Sequence, residues 1–135
     1  MKYFIDTNII IDLLDGDKKA VELIVRIAND KDSKLFINRL VCIEALRTIH
    51  FDNSRIFNQA KESLESFEKL EINPKIYEKA INFSRYCHSK GVKLKGKCEA
   101  IDFLHFVTAK YYDLEIVSND KDLNRLEDVY KKYMM

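Results

Sequence analysis

Apolar residues in this chain alternate between short continuous runs and helical spacing. Tyr3, Phe4 and Ile5 form a run that stops at Asp6, and a short apolar run closed by polar residues reads as a strand, here residues 2–5. Ile9, Ile10 and Ile11 follow at once and predict a short helix over 8–14. Val21, Ile24, Val25 and Ala28 recur at helical spacing and predict a helix over 17–31. Lys34 to Ile37 reads as a strand, and Leu40, Ile43 and Leu46 place a helix over 39–49 around Glu44. Phe57, Leu64 and Phe67 share one side of a helix over 54–69, and Glu71–Ile72 forms a brief strand. Pro74 suits a first helical turn. The helix over 74–90 repeats Ile76, Ala80, Phe83 and Cys87, with Gly91 as terminator. Ile101, Leu104 and Ala109 predict a helix over 98–112, followed by a strand over 114–118, a short helix over 121–126 and a last strand over 127–130. Strands alternating with helices predict an α/β, three-layer fold: a central, mostly parallel twisted sheet with helices on both faces. No repeat, low-complexity tract or linker divides the chain, so residues 1–135 are expected to form one domain.

Composition narrows the function classes. The chain is 47% apolar and 33% charged, a globular rather than disordered balance. Its net charge of +1 does not by itself advertise nucleic-acid binding. No apolar run approaches the roughly 20 residues needed to span a bilayer, and no signal-peptide pattern opens the chain, so a cytoplasmic protein without a membrane partner is expected. Cys42, Cys87 and Cys98 are odd in number and lack a C-x-x-C spacing. They are expected to be reduced, buried or half-buried thiols rather than a zinc site.

Four acids stand where a site would form. Asp6 follows the first strand, and in an open parallel sheet the carboxyl edge is where ligands gather. Glu44 and Asp102 interrupt apolar helical stretches, and Asp120 follows the strand Glu115-Ile116-Val117. Four converging carboxylates repel one another unless a cation compensates, and an all-oxygen set selects a hard ion such as Mg2+ or Mn2+. Each acid also has a plainer role open to it. Asp6 can serve the dipole of the next helix while Thr7 or Asn8 caps it. Glu44 can face solvent, and Asp120 can cap the helix starting at Lys121, leaving Asp122 as its rival for a metal. Glu99, Asp102 and His105 are spaced by three and can share a helix face, with Glu99 extending the acidic pocket or facing water. His105 is read as a packed or substrate-facing group in preference to a ligand.

A basic stretch precedes Asp102. Arg85, Lys90, Lys93, Lys95 and Lys97 run with His88 and Tyr86 interleaved and no acid among them. The stretch reads as a phosphate-contacting rim in preference to a solvated helix end, because an acidic site needs positive surface nearby to hold a polyanion. Lys95-Gly96-Lys97 is not a P-loop, which needs a longer Gly-rich run and a Ser or Thr after the Lys.

Phe4-Ile5-Asp6-Thr7-Asn8, Cys42-Ile43-Glu44-Ala45-Leu46, Ala100-Ile101-Asp102-Phe103-Leu104-His105 with Ala109, and Val117-Ser118-Asn119-Asp120-Lys121-Asp122-Leu123 come in the order and spacing of a PIN domain. The chain resembles PIN-domain proteins, and in size the VapC-type toxins of toxin–antitoxin pairs. The resemblance implies a Mg2+- or Mn2+-dependent ribonuclease leaving 5′-phosphate and 3′-hydroxyl ends. Asp6, Glu44, Asp102 and Asp120 would be its catalytic, metal-holding quartet, supported by Asn8 and Ser118. It also implies an RNA substrate, a small antitoxin partner and a homodimer. Two departures are conservative: Ser118 stands where the family usually has Thr, and Leu123 where it often has Phe. Two other classes compete. A non-catalytic PIN-like module, or a housekeeping RNA-processing nuclease, fits the same pattern. A haloacid-dehalogenase-type phosphatase also begins strand–Asp but requires a second Asp where Asn8 stands.

Overall fold

The structure, a computed structural model, describes residues 1–95 and 98–135, which form two compact units. The first comprises residues 1–71 and 115–118. It holds strands β1 (Lys2–Ile5), β2 (Lys34–Asn38) and β3 (Glu68–Leu70), and helices α1 (Thr7–Leu14), α2 (Lys18–Ala28), α3 (Arg39–Leu46) and α4 (Ser54–Leu64). The second comprises residues 72–114 and 119–135 and contains helices α5 (Pro74–Ser89), α6 (Glu99–Tyr111) and α7 (Lys121–Tyr133). Strand β4 (Glu115–Val117) belongs to the first unit. Together these elements are an α/β fold with a four-stranded, wholly parallel sheet, as the resemblance implies.

The sheet order is β3-β2-β1-β4, so β1 runs in its interior. Phe4 and Ile5 are fully buried, as an interior parallel strand demands. Phe4 pairs with Phe36 and with Ile116, and Ile5 pairs with Val117. Ile10 of α1, Ile37 of β2 and Val41 of α3 are also fully buried. Burying each such side chain contributes about 1.5–3 kcal/mol. Helix α1 packs against α2 and α3 within this unit.

In the second unit Phe83 of α5 is the hub. Its ring centroid lies 5.6 Å from Phe106, 5.9 Å from Phe103 and 5.2 Å from Tyr130. Asn73 caps α5 by accepting the Ile76 N–H at 2.9 Å, with Pro74 in the first turn. Gly91, at φ 70°, ends it as expected, and the Val92 N–H returns to the Cys87 carbonyl at 2.9 Å. Every residue of α6 from Phe103 to Ala109 is buried. Asp113 ends α6 in the left-handed region at φ 57°, where the Leu114 N–H bonds the Ala109 carbonyl at 2.8 Å.

Four expected elements are corrected. The short helix over 121–126 and last strand over 127–130 are one helix, α7, because Leu123, Leu126 and Tyr130 continue a single helical face. The third strand is Glu68–Leu70 rather than 71–72. Helix α4 correspondingly stops at Leu64, short of residue 69: the Ser66 hydroxyl takes the Ser63 carbonyl at 2.7 Å, and Lys69 Nζ takes the Leu64 carbonyl at 2.9 Å. Cys98 is exposed instead of buried or half-buried, since it precedes α6 as a non-helical residue; Cys42 is half-buried and Cys87 buried. Among the described residues no helix is long and apolar enough to cross a membrane.

Candidate functional site

Asp6 leaves β1 at its carboxyl end, and its N–H donates to the Val117 carbonyl at 3.0 Å. One step beyond the Ile5–Val117 pair, Asp6 stands beside Ser118. The Ser118 hydroxyl donates to Asp6 Oδ2 at 3.0 Å. On the other side, the β1–β2 register carried two residues past Phe4–Phe36 sets Asn38 across from Asp6. Asn38 is fully buried and its Oδ1 accepts the Val41 N–H at 2.9 Å, capping α3. The edge is therefore a row of short polar side chains on adjacent parallel strands, where such sheets bind ligands.

The capping role open to Asp6 is not the one its side chain takes. Asp17, Asn38, Asn53, Asn73 and Asp120 each accept a backbone N–H of the helix they precede. Asp6 occupies the N-cap position of α1 with no side-chain capping bond. It is 7% exposed, and its carboxylate takes the Ser118 hydroxyl instead. Thr7 does not cap either. Its hydroxyl donates to Glu44 Oε1 at 2.8 Å, reaching from the first residue of α1 to α3. Glu44 is half-buried and so does not simply face solvent. Two consecutive residues, Asp6 and Thr7, thus place one acid and aim another. Asn8, expected as support, is exposed on the first turn of α1. Asn38 and the aiming role of Thr7 had escaped the sequence reading. The repeat of strand–Asx–helix at Asp6 and at Asn38 was the available signal.

In the second unit, Asp102 is half-buried in the first turn of α6. Glu99 is exposed and uses Oε2 to accept the Leu94 N–H at 3.3 Å. His105 is buried at 2% exposure, within the all-buried stretch of α6, as a packed histidine would be. Asp120 is the N-cap of α7, its Oδ1 accepting the Asp122 N–H at 2.9 Å. Asp122 is buried, and its Oδ2 accepts the Lys95 N–H at 2.7 Å. Arg125 donates to the Lys93 carbonyl at 2.7 Å.

Three side chains of α6 and α7 therefore fasten the backbone of residues 93–95, and Leu94 is buried between two exposed lysines. Lys93 and Lys95 are held outward as a consequence. Arg85 is exposed on α5, and Lys90 closes that helix with its ammonium 5.6 Å from the Tyr86 ring centroid. Lys97 lies outside the described residues.

The thiols sit in different environments. Burial raises Cys42 above its ordinary range, against the lowering charges of Lys69 and Arg39. Cys87 is pushed up to about 11 by burial and, secondarily, by the negative charge of Glu99. Among the described residues no group of three or more His, Cys, Asp or Glu side chains is arranged to hold a metal ion. The donor types along Asp6, Glu44, Asp102 and Asp120 are all oxygens, a chemistry that fits Mg2+ or Mn2+ and not a soft metal.

A PIN domain model matches residues 3–129. No curated protein matches in sequence. Among solved structures, a chain of VapBC2 from Rickettsia felis, solved bound to a DNA fragment from their promoter, superposes with a TM-score of 0.78 at 17% identity, covering 93% of each chain. That likeness is one of fold.

Proposed function

The chain belongs to the PIN domain family, and from that premise we propose that it is a metal-dependent endoribonuclease that hydrolyses RNA phosphodiester bonds, the toxin of a toxin–antitoxin pair. The observation that carries the reading is the Asp6 carboxylate at the carboxyl edge of the parallel sheet, diverted from capping its own helix and held by Ser118. PIN nucleases generally use divalent ions. Asp6, Glu44, Asp102 and Asp120 would hold Mg2+ or Mn2+. When bound, the ion would supply an activated water and stabilise charge on the phosphoryl oxygens. This chain's own residues do the rest. Ser118 and Thr7 orient Asp6 and Glu44. Arg85, Lys90, Lys93, Lys95 and Lys97 hold the phosphates of an RNA strand by charge. Residues 1–135 act as one domain, in the cytoplasm where the RNA is.

The fold neighbour from Rickettsia felis belongs to a VapBC pair, which supports a small antitoxin as partner here; a homodimeric toxin is part of the same proposal. A short reading frame beside this gene, whose product copurifies with the chain and silences it, is the expected finding for a toxin. A gene standing alone would favour a housekeeping RNA-processing nuclease.

The decisive experiment is cleavage of single-stranded RNA by the purified protein. Cutting is expected with Mn2+ or Mg2+ and should stop with EDTA. Asp6→Asn, Glu44→Gln, Asp102→Asn and Asp120→Asn should each lose most activity while staying folded, since each removes charge at nearly constant volume. If all four variants cut as the wild type does, the nuclease is a contaminant. RNA binding with no metal dependence and no cleavage would favour a non-catalytic binding module.

A further inference from the structure

At the far end of α6 from Asp102, a second place is built for a ligand of mixed chemistry. A cavity of about 480 Å3 is lined by Lys75 and Lys79 of α5, Lys110 and Tyr111 of α6, and Tyr130 and Tyr133 of α7. It lies wholly in the second unit. Asp102 and Lys110 are separated by about 12 Å along the helix axis, and Asp102 does not line this cavity. The volume falls within the 300–1,000 Å3 usual for small-molecule sites.

The lining has two characters. One side is aromatic. Phe83 lies at its floor, its ring centroid 5.2 Å from Tyr130 and 5.2 Å from Tyr133, so the tyrosine rings are braced from below. Tyr111 is braced from the side, its hydroxyl accepting from Asn73 Nδ2 at 3.3 Å. Tyr111 is 39% exposed. The other side is cationic. Lys110 pairs with Glu127, and its ammonium lies 5.4 Å from the Phe106 and 5.8 Å from the Tyr130 ring centroids, so its charge is already engaged. Lys75 and Lys79 sit one helical turn apart on α5, both exposed, and form no ion pair among the described residues. No carboxylate lines the cavity among the described residues.

Two available ammonium groups one turn apart suit a phosphate, and exposed braced tyrosine suits the face of a planar ring. An inorganic anion would use only the lysines, and an apolar ligand would leave two cations facing its rim. We propose that this cavity is a nucleotide site, taking one base against the tyrosines and its phosphate on Lys75 and Lys79. The nucleotide is either a free nucleoside monophosphate or one unit of an RNA strand. Burial, with the neighbouring Tyr133 and Glu127, raises the Tyr130 hydroxyl above its ordinary range.

The free-nucleotide arm does not depend on the ribonuclease reading; the RNA arm rests on it. The experiment is calorimetric titration of the full chain, with EDTA present to prevent cleavage, using inorganic phosphate, the four nucleoside monophosphates and an eight-nucleotide single-stranded RNA. Lys75→Ala/Lys79→Ala and Tyr111→Leu variants are titrated in parallel. The expected result is nucleotide or RNA binding weakened about tenfold or more in the lysine pair variant and severalfold in Tyr111→Leu, with unchanged melting temperatures. Binding of free monophosphates would mark an effector site; binding of the octamer alone would mark a substrate subsite. Phosphate binding as tight as any nucleotide would overturn the proposal, since the rings would then contribute nothing. So would variants that bind both ligand types as the wild type does. If the protein binds nucleotide here yet never cuts RNA with metal, the nuclease reading fails and this site stands. If it cuts RNA and the variants bind like the wild type, the reverse holds.

Discussion

The carboxylate of Asp122 accepts the backbone N–H of Lys95 at 2.7 Å, joining the first turn of α7 to a segment 27 residues earlier. Asp122 is buried, so its loss leaves a backbone donor without its charged acceptor. Asp122→Ala should therefore destabilise the protein by about 1.5–3 kcal/mol. Asp122→Asn keeps an oxygen acceptor and should lose less. Amide exchange at Lys95 should accelerate in the alanine variant before the rest of the unit opens. Asp120 invites the opposite expectation. Asn caps a helix as well as Asp does, so Asp120→Asn should melt as the wild type while losing catalysis. Urea melts with residue-resolved exchange decide both. A stable Asp122→Ala protein with a protected Lys95 amide would remove the tie.

Lys93 and Lys95 of that segment are exposed and belong to the proposed phosphate rim. Replacing Lys93, Lys95 and Lys97 with Ala removes up to three phosphate contacts, which should reduce the slope of log affinity against log salt for single-stranded RNA by about 2. Global stability should shift by no more than about 0.5 kcal/mol, since Lys93 and Lys95 are exposed. Filter binding across a salt series measures the slope. An unchanged slope would reduce the rim to solvated surface.

The sequence made the alternation of elements legible because β1 and β2 are apolar runs ended by Asx residues, and α2 and α5 carry clean helical spacing. It was less informative where charge hides periodicity. Helix α7 is mostly charged, with Leu123, Leu126 and Tyr130 as its sparse apolar face, so its second half was mistaken for a strand. Strand β3 has only three residues, with Lys69 half-buried at its centre, too little for a period of two to register. At the site, Asp6 and Glu44 were visible as acids out of place. Ser118 was named as support through the resemblance, but its bond to Asp6 was not visible, nor was that of Thr7 to Glu44, since Ser118–Asp6 spans 112 positions and Thr7–Glu44 spans 37. Asn38 was missed for a different reason: it ends β2 much as Asp6 follows β1, but an uncharged polar residue before a helix does not stand out as an acid does, although it is fully buried and caps α3.

The thiols should separate by reactivity. Thiolate is the nucleophile. With Cys87 held up to about 11 and fully buried, roughly a thousandth of it is thiolate at pH 8. Cys98, exposed before α6, should be alkylated by iodoacetamide first and Cys87 last, as read by peptide mass spectrometry. The sign for stability follows. The folded state holds the Cys87 proton more tightly than the unfolded chain, whose thiol titrates near the ordinary 9.0. Its contribution is complete below about pH 9 and lost as pH rises towards 11. A Cys87→Ala variant should lose that alkaline component, at the cost of the cavity it opens. Alkylation of Cys87 as fast as Cys98 in the native protein would contradict its burial.

The hydroxyls beside the two acids of the first unit give a test of the metal that needs no catalysis. A ligand that binds only the folded chain stabilises it by RT ln(1 + [L]/Kd), about 2.7 kcal/mol at a hundredfold excess over Kd. Mg2+ or Mn2+ should therefore raise the melting temperature, and Asp6→Asn should abolish most of the rise. Ser118 donates to Asp6 and Thr7 to Glu44, so each fixes the direction of a carboxylate without being an acid itself. Groups that orient ligands in this way typically cost 10–100-fold in metal affinity when removed. Ser118→Ala and Thr7→Val should each shift the metal titration to higher concentration by about that factor, while Ser118→Thr, which keeps the hydroxyl, should titrate close to the wild type. The melts are run at neutral pH with and without metal, so loss of folding and loss of binding are read separately. If wild type and Asp6→Asn show the same shift, the ion binds elsewhere. If Ser118→Ala titrates like the wild type while Asp6→Asn does not, Asp6 holds the ion without help from its neighbour.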